Sequence, residues 1–324
     1  MALEKTGQLV TVIGASGFVG RYVVQELCRS GVLGGTGVRV RALCRNTTAA
    51  LFLKPLGGLG QVQIGGVDIT RPDSLAAALA GSDVVINLVG VLNGDFGRIQ
   101  ASGAEAVAKA ARAAGAGALV HVSAIGADPE SPSAYGRSKG EGEALVRAAF
   151  PGATIIRPSV VFGPEDNFIN RLARMVRTLP VVPVVRPAVR FQPIWVGDLA
   201  QAIARAAVDH VTYGGRVFEL GGPRTYSFEE LVRWVVETVR CRRSIIAVPD
   251  CIGSMIASAG FLPGAPITKD QWLMLQRDNV VAPGAEGIAA FGIEPSPLEA
   301  IAPSWLVRYR KHGRFNIPTA AEAR

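Results

Sequence analysis

The stretch LVTVIGASGFVG, Leu9 to Gly20, divides into two halves with different periodicities. Leu9 to Ile13 is a short apolar run rich in β-branched residues, the composition of a strand buried on both faces. The run breaks at Gly14, and glycine recurs at Gly17 and Gly20. From Phe18 a helical period takes over, placing Phe18, Tyr22, Val23 and Leu27 on one face of a segment that reaches about Arg29. Strand, glycine turn and helix in this order form a phosphate cradle. Gly14 permits the tight turn, Gly17 lets backbone approach a pyrophosphate, and Gly20 lets the helix lie close on the strand. The helix N-terminus then aims unpaired N–H groups at an anion, which makes Gly14, Ser16, Gly17, Phe18, Val19 and Gly20 candidate nucleotide contacts. In a chain with 38 glycines the competing reading is a glycine-rich turn with no ligand.

The chain after this stretch continues in alternation. Gly31 to Gly37 is a glycine-rich connection, and Val38 to Cys44 alternates as a second strand that ends at Arg45 and Asn46. In a dinucleotide fold the end of this strand meets the adenosine ribose, where an acidic side chain would select NAD. From Leu27 through Val67 there is no acidic residue, whereas Arg39, Arg41, Arg45 and Lys54 fall in the interval. The expectation is NADP(H) over NAD(H), with Arg45 on the 2′-phosphate; the bland alternative is an arginine that ends a strand in water. Gln61 to Gly66 is a third strand, and Asp68 with Ile69 follows where a carboxylate can meet the adenine amino group. Pro72 opens a helix to about Ala80. Asp83 to Val89 is a fourth buried strand ending at Gly90, so Val89 and Gly90 are expected beside the cofactor. Ile99 to Ala114 is an alanine-rich helix, and Ala118 to Ser123 is a fifth strand containing His121, read as a packed core residue. Thr154 to Pro158 is a sixth strand, which brings Pro158 and Ser159 towards the same end. This alternation predicts an α/β fold: a Rossmann-type doubly wound parallel sheet over residues 1–160, with a smaller C-terminal α/β lobe over 161–324 that returns late strands to the sheet.

The chemistry-bearing constellation is Ser123 with Tyr135 and Lys139, the last two in YGRSK at the start of a helix. At an i, i+4 spacing both side chains share a helical face. An adjacent ammonium is expected to lower the phenol pKa, so that Tyr135 works as acid/base while Lys139 also holds the nicotinamide ribose. Ser123 would orient the reacting carbonyl or hydroxyl. With five tyrosines and six lysines in 324 residues, a chance YxxxK is expected roughly 0.09 times. The alternative is an exposed helix carrying an ordinary Tyr and Lys.

GASGFVG at Gly14 to Gly20, Asp68, Ser123, and Tyr135 with Lys139 resemble the short-chain dehydrogenase/reductase superfamily in its extended or atypical branch. The resemblance implies Tyr135 as acid/base, Lys139 as its electrostatic and ribose partner, and hydride transfer at nicotinamide C4. One departure is that Ile99 to Ala114 contains no asparagine, which many members use in a proton relay. Later landmarks are RPSVVFGPEDNFINR at Arg157 to Arg171, FQPIWVGD at Phe191 to Asp198 and ELGGP at Glu219 to Pro223, with Asp198 expected to cap the next helix. Ser227 and Glu230 form a capping box for a helix to about Arg240. ITKDQWLMLQRDNVV at Ile267 to Val281, FGIEPSPLEAIAPSWL at Phe291 to Leu306 and SAIGAD at Ser123 to Asp128 are similar to the NADPH-binding accessory subunits of respiratory complex I and their bacterial relatives. That similarity implies a nucleotide held as a structural element, with the C-terminal lobe docking on a protein complex of the respiratory membrane or near its surface. The intact Ser123, Tyr135 and Lys139 imply the other function, an NADPH-dependent oxidoreductase acting on a carbonyl, quinone-like or isoprenoid-like compound.

Composition bounds the remaining possibilities. The 324 residues are 49% hydrophobic and carry a net charge of +8, spread rather than blocked. No zinc-finger spacing, aromatic RNA-binding strand or basic helical stripe argues for nucleic acid, and phosphorylated cofactors, anionic lipid or acidic partners account for the surplus charge. Cys28, Cys44, Cys241 and Cys251 form no CxxC pair, so reduced thiols, a cytosol-like compartment and no metal are expected. Met1 to Gln8 has no signal-peptide pattern, and Ser244 to Leu262 is broken by Pro249 and Asp250 before it could span a bilayer. The chain is therefore expected in the cytoplasm, peripheral to an inner membrane at most. Cys251 to Leu262 and the run of Trp305, Arg308, Tyr309, Arg310, Lys311, His312, Arg314 and Phe315 suit an anionic interface, against the alternative of a packed helix and a solvated tail.

Overall fold

The computed structural model describes residues 7–29, 38–258, 267–311 and 313. The glycine-rich connection of 31–37, residues 259–262 of the apolar run, and His312, Arg314 and Phe315 of the tail lie outside them. From the N-terminus the elements are β1 (Leu9–Ile13), α1 (Phe18–Cys28), β2 (Arg39–Cys44), β3 (Val62–Gly66), α2 (Pro72–Leu79), β4 (Val84–Asn87), α3 (Gly103–Ala113), β5 (Ala118–Val122), α4 (Ala134–Ala149) and β6 (Thr154–Pro158). There follow β7 (Val161–Phe162), α5 (Ile169–Thr178), β8 (Val181–Val185), β9 (Arg190–Phe191), β10 (Ile194–Trp195), α6 (Val196–Val208) and α7 (His210–Tyr213). The chain ends with β11 (Val217–Leu220), β12 (Tyr226–Ser227), α8 (Phe228–Val239), β13 (Ser244–Val248), α9 (Asp250–Ser258) and α10 (Lys269–Met274), then short helical turns.

Two compact units result: the described residues of Met1–Ser159, Val196–Gly221 and Val281–Pro295, and those of Val160–Trp195, Gly222–Val280 and Ser296–Arg324. The first unit holds a seven-stranded sheet in the order β3-β2-β1-β4-β5-β6-β11. Every pairing in it is parallel, as the continuous apolar strands require. All five residues of β1 and of β5 are buried, and each such Val, Ile or Leu contributes roughly 1.5–3 kcal/mol. On one face Ile13, Val85, Leu119 and Ile155 pack against α2, α3 and α4. On the other, α1 packs along α6. The strand order reverses between β1 and β4, and their C-terminal ends are the switch point at which such sheets bind ligands.

Several local expectations shift. The buried face of α1 is Gly20, Val23, Val24, Glu26 and Leu27, while Phe18 and Tyr22 are half-buried and meet edge to face at 6.1 Å. The helix expected from Ile99 begins as a turn of π-helix over Gly97–Ser102 before α3. Asp198 does not cap α6: the helix starts at Val196, directly from β10, which puts Asp198 inside the first turn and buries it.

The second unit is organised by α5 and α8, whose apolar faces (Ile169, Leu172, Ala173 and Val176 against Leu231, Val232, Val235 and Val239) share one core with Trp305 and Leu306. Ser227 and Glu230 cap α8 reciprocally, as their spacing predicts. The described start of the tail, Arg308 to Arg310, folds back onto the unit. Arg308 donates to Pro164 O, Tyr309 to Asn170 Oδ1 and Arg310 to Thr238 O.

Candidate functional site

The glycine loop carries the geometry of a cradle. Gly14 has φ +83°, a left-handed conformation in which a side chain is strained. A Cβ there would also touch Leu88 C at 3.4 Å and Val89 Cγ2 at 3.5 Å, so the loop lies against the end of β4. At Gly20 a Cβ would fall 2.6 Å from Ala15 O and nearer still to Gly14 O, which is why only glycine lets α1 start here. Gly17 is the exposed N-cap of α1, has no side-chain cap, and the first turn contains no acidic residue. That leaves the positive end of the helix open to an anion. Ser16 is half-buried and hydrogen-bonds Cys44, whose thiol burial pushes up. Phe18 and Val19 are half-buried beside it.

At the neighbouring strand ends, Arg45 is exposed immediately after β2. Asp68 accepts from Thr70 N at 3.0 Å and Thr70 Oγ1 at 2.8 Å, which hold its carboxyl below the usual range, with smaller help from Arg71 and Arg45. Ile69 is buried in the core, where Gly103 of α3 is small enough to pass it. Pro158 and Ser159 close β6 and are buried; Pro158 O accepts from Ile125 N and Ser159 N donates to Leu220 O.

Beneath α4 the sheet carries a buried polar layer that the sequence reading did not assemble. Asn87, His121, Ser123 and Arg157 alternate onto the sheet face that packs against α3 and α4. His121 is paired in register with Asn87, and Asn87 Nδ2 lies 3.2 Å from His121 Nδ1. Asn87 Oδ1 accepts from Val89 N, which fixes the amide and assigns the neutral ring as its Nε2–H tautomer. Burial, with the charge of Lys139 second, pushes the imidazole down to about 3, so His121 stays neutral. It is a core histidine with polar neighbours.

Tyr135 and Lys139 sit on α4, which Ser133 caps by accepting from Gly136 N. Lys139 is buried; its Nζ donates to Val122 O at 3.2 Å and lies 3.2 Å from where a Cβ on Gly90 would stand. Burial pushes the amine down to about 8, against an opposing pull from Glu143. Tyr135 is half-buried, edge-on to Phe96 at 6.1 Å, and burial pushes its phenol up to about 12. The expected lowering by Lys139 does not occur, because burial strips the phenolate of its hydration and penalises the charged form. At neutral pH the phenol holds its proton and is equipped to donate it.

Two further groups escaped the sequence reading. Gln100, in the π-turn, is buried and donates to Ser138 Oγ at 3.2 Å; Gly142 permits this because a Cβ there would collide with Gln100 O. Glu143, one turn beyond Lys139, accepts from Arg157 Nε at 2.9 Å and Nη2 at 2.6 Å. Arg157 also reaches Glu219 Oε1 at 3.4 Å, and Glu219 Oε2 accepts from Ala282 N. A polar residue in a helical pattern was the available signal for Gln100. Nothing local joins Glu143, Arg157 and Glu219. Among the described residues, Gln100 Oε1, His121 Nε2 and Ser123 Oγ are buried without a protein hydrogen-bond partner, a state that costs roughly 1–3 kcal/mol unless a ligand or water satisfies the group. An open helix N-terminus, a strain-free approach at Gly14 and Gly90, and an unpartnered Ser123 hydroxyl together fit a dinucleotide whose reactive end lies near β5. Among the described residues there is no cluster that could hold a metal and no helix long and apolar enough to cross a membrane.

Comparison with known proteins agrees with this reading. Residues 14–167 match the family described as NAD(P)H-binding. The chain is 34% identical over 319 residues to subunit 9 of the NADH dehydrogenase [ubiquinone] 1 alpha subcomplex of Mus musculus, covering 95% of this chain and 82% of that protein. It is 32% identical over 256 residues to a ceramide reductase of Caulobacter vibrioides, covering 77% and 76%. In fold it matches an NADPH-dependent quinone oxidoreductase of Escherichia coli in complex with NADPH, with a TM-score of 0.74 at 19% identity over 92% of this chain and 99% of that one. An NAD(P)-binding Rossmann sheet with relatives of this length and identity places the chain in the extended short-chain dehydrogenase/reductase superfamily, within the family of the complex I alpha-subcomplex subunit 9.

Proposed function

We propose that the chain holds NADP(H) at the Gly14 to Gly20 cradle and uses it to reduce a carbonyl compound. The observation that carries the reduction is a protonated Tyr135 phenol on α4 together with a buried, partnerless Ser123 hydroxyl at the end of β5, where Lys139 reaches Val122 O. When bound, NADPH supplies the hydride to the carbonyl carbon and leaves as NADP⁺. Ser123 Oγ donates to the carbonyl oxygen and orients it, and Tyr135 delivers its proton to that oxygen as negative charge develops. Lys139, cationic below about pH 8, stabilises the phenolate left behind. The ceramide reductase relative supports a carbonyl or lipid-like substrate. Preference for the 2′-phosphate rests on exposed Arg45 after β2 and on the absence of acid from Leu27 through Val67.

A second reading has its own observation. Similarity to a complex I subunit along 95% of the chain supports a nucleotide retained without turnover, in a protein peripheral to a respiratory membrane. Tyr135→Phe separates the two. Under the reductase reading it abolishes NADPH oxidation across a panel of ketones, ceramides and quinones while leaving the nucleotide dissociation constant unchanged. If the native protein consumes no NADPH with any of them and releases nucleotide only slowly, retention is the function. Arg45→Asp tests the coenzyme: the NADP(H) to NAD(H) affinity ratio falls, and an unchanged ratio removes Arg45 from the 2′-phosphate.

A further inference from the structure

Helix α4 carries a second buried charge that the reduction does not use. Lys139 and Glu143 stand one turn apart on it, 3% and 5% exposed. Side chains four residues apart on a helix are neighbours. Between them Gly140 and Gly142 carry no side chains, and a Cβ on either would strike backbone, Pro129 N for Gly140 and Gln100 O for Gly142. The loop after β5 and the π-turn therefore close directly on the helix and keep water from that side of the turn. Charges one turn apart act on each other more strongly here than at a surface.

Charge accounting then says what Glu143 answers to. Its carboxylate accepts from Arg157 Nε at 2.9 Å and Nη2 at 2.6 Å, while Arg157 Nη1 reaches Glu219 Oε1 at 3.4 Å. Two carboxylates share one guanidinium, which leaves one negative charge over. A buried net charge is costly unless an opposite charge answers it. Of the other groups around Lys139, Tyr135 of α4 and His121 of β5 are neutral at pH 7, and Asn87 of β4 and Gln100 of the π-turn bear no charge. On α3, Glu105 pairs with Lys109, and Arg112 reaches Ala149 O. The Lys139 ammonium completes the count at two cations and two anions. Its Nζ donates to Val122 O, and among the described residues it has no carboxylate within ion-pair distance. The attraction therefore runs along the helix and leaves N–H groups of Lys139 to a ligand.

We propose that Glu143 is a positioning residue of the reactive end: seated on Arg157 and backed by Glu219, it supplies the counter-charge that holds Lys139 as an ammonium. The lysine then meets the ribose and the developing phenolate with a full positive charge, although it is buried. Burial pushes its amine down to about 8, and Glu143 is the opposing pull, so without that carboxylate more of the lysine is neutral at pH 7 to 8. Arg157 grips the carboxylate with two N–H groups and keeps it from closing on Nζ, where it would compete with the ligand. The inference rests on the placement of Lys139 at the nucleotide's reactive end proposed above.

Lys139 is one of six lysines, so its side chain can be followed by nuclear magnetic resonance of the lysine-labelled full chain through a pH titration, assigned by its loss in Lys139→Met. No substrate is needed, so a chain that reduces nothing still reads out the charge relation. In the native chain Lys139 is expected to titrate near pH 8. In Glu143→Gln its proton affinity is expected to fall on the order of tenfold. Glu219→Gln, beyond Arg157, gives a smaller fall in the same direction. Glu143→Asp weakens the grip on Arg157 but keeps the charge, and Lys139 is expected to titrate close to its native pH. An unshifted Lys139 in Glu143→Gln overturns the proposal, as does a shift in Glu143→Asp as large as in Glu143→Gln, which makes packing the cause. Thermal melts report folding; if Glu143→Gln does not fold, an unshifted Lys139 in Glu219→Gln overturns it instead. NADPH affinity, read by fluorescence titration, is expected to weaken above the pH at which Lys139 titrates, and that break moves down with Glu143→Gln. A shifted lysine without any such break supports Glu143 as the counter-charge and removes Lys139 from the ribose.

Discussion

Gly20→Ala tests the cradle most directly, because the collision it creates is with backbone that has no room to give. An alanine Cβ would lie 2.6 Å from Ala15 O and 2.7 Å from Ala15 C, and nearer still to Gly14 O, against 3.4 Å for an ordinary contact, so the start of α1 must retreat by about 1 Å. Overpacking of this kind costs roughly 2–3 kcal/mol. Alanine inside a helix offsets about 0.5–1 kcal/mol of it. The net loss of about 1–2 kcal/mol lowers the melting temperature of the nucleotide-free protein by roughly 2–8 °C. The displaced helix also withdraws its N–H groups from the anion, and affinity for NADPH falls about tenfold or more. Gly17→Ala is the control. Its Cβ meets only Gly14 O, at 3.2 Å, and its φ of −73° suits alanine, so stability holds while the exposed methyl blocks the pyrophosphate. Calorimetric melts and fluorescence titration read both. The reasoning fails if Gly20→Ala melts and binds like the native chain, or if Gly17→Ala is the more destabilised of the two.

Two other expectations follow from the buried polar layer. Lys139 binds its proton less well in the folded chain than in the unfolded one, so its contribution to stability rises with pH from about 8 to the ordinary lysine value, by at most about 3 kcal/mol. Tyr135 keeps its proton to about 12, so above pH 10 its contribution falls as the unfolded phenol ionises first. Urea unfolding across pH 7 to 11 should show the rise in the native protein and lose it in Lys139→Met; an unchanged slope in that variant assigns the rise elsewhere. Glu143→Gln removes the carboxylate that Arg157 grips with Nε and Nη2, and is expected to cost about 3 kcal/mol in denaturant titration. A loss below about 1 kcal/mol, the size of a surface pair, would show that solvent already carries that charge.

Much of the site was legible because its signals are local. The β1 strand, the glycine spacing and the Tyr135/Lys139 pair each occupy a few consecutive residues, and strand period, positive φ and the i, i+4 helical face act at that range. The Ser227–Glu230 box is of the same kind. Asp198 shows the limit: its residue type suits a cap, but β10 runs straight into α6 two residues earlier, and the polar side chain ends up buried in the helix. The phenol of Tyr135 was expected too acidic for a similar reason, since its lysine neighbour is visible in sequence and its burial is not.

The sequence by itself determined the first six strands, the glycine loop, the acid-free second strand end and the spacing of Tyr135 and Lys139 on one helix, because each is written in short-range sterics and periodicity. Tertiary structure decided what surrounds them. Asn87 meets His121 34 residues away, and Glu143 meets Arg157 and Arg157 meets Glu219 across 14 and 62 residues. Such contacts depend on which strand ends and helix faces the packed sheet brings together, and burial, which sets proton affinity and leaves hydroxyls without partners, exists only once that packing is complete.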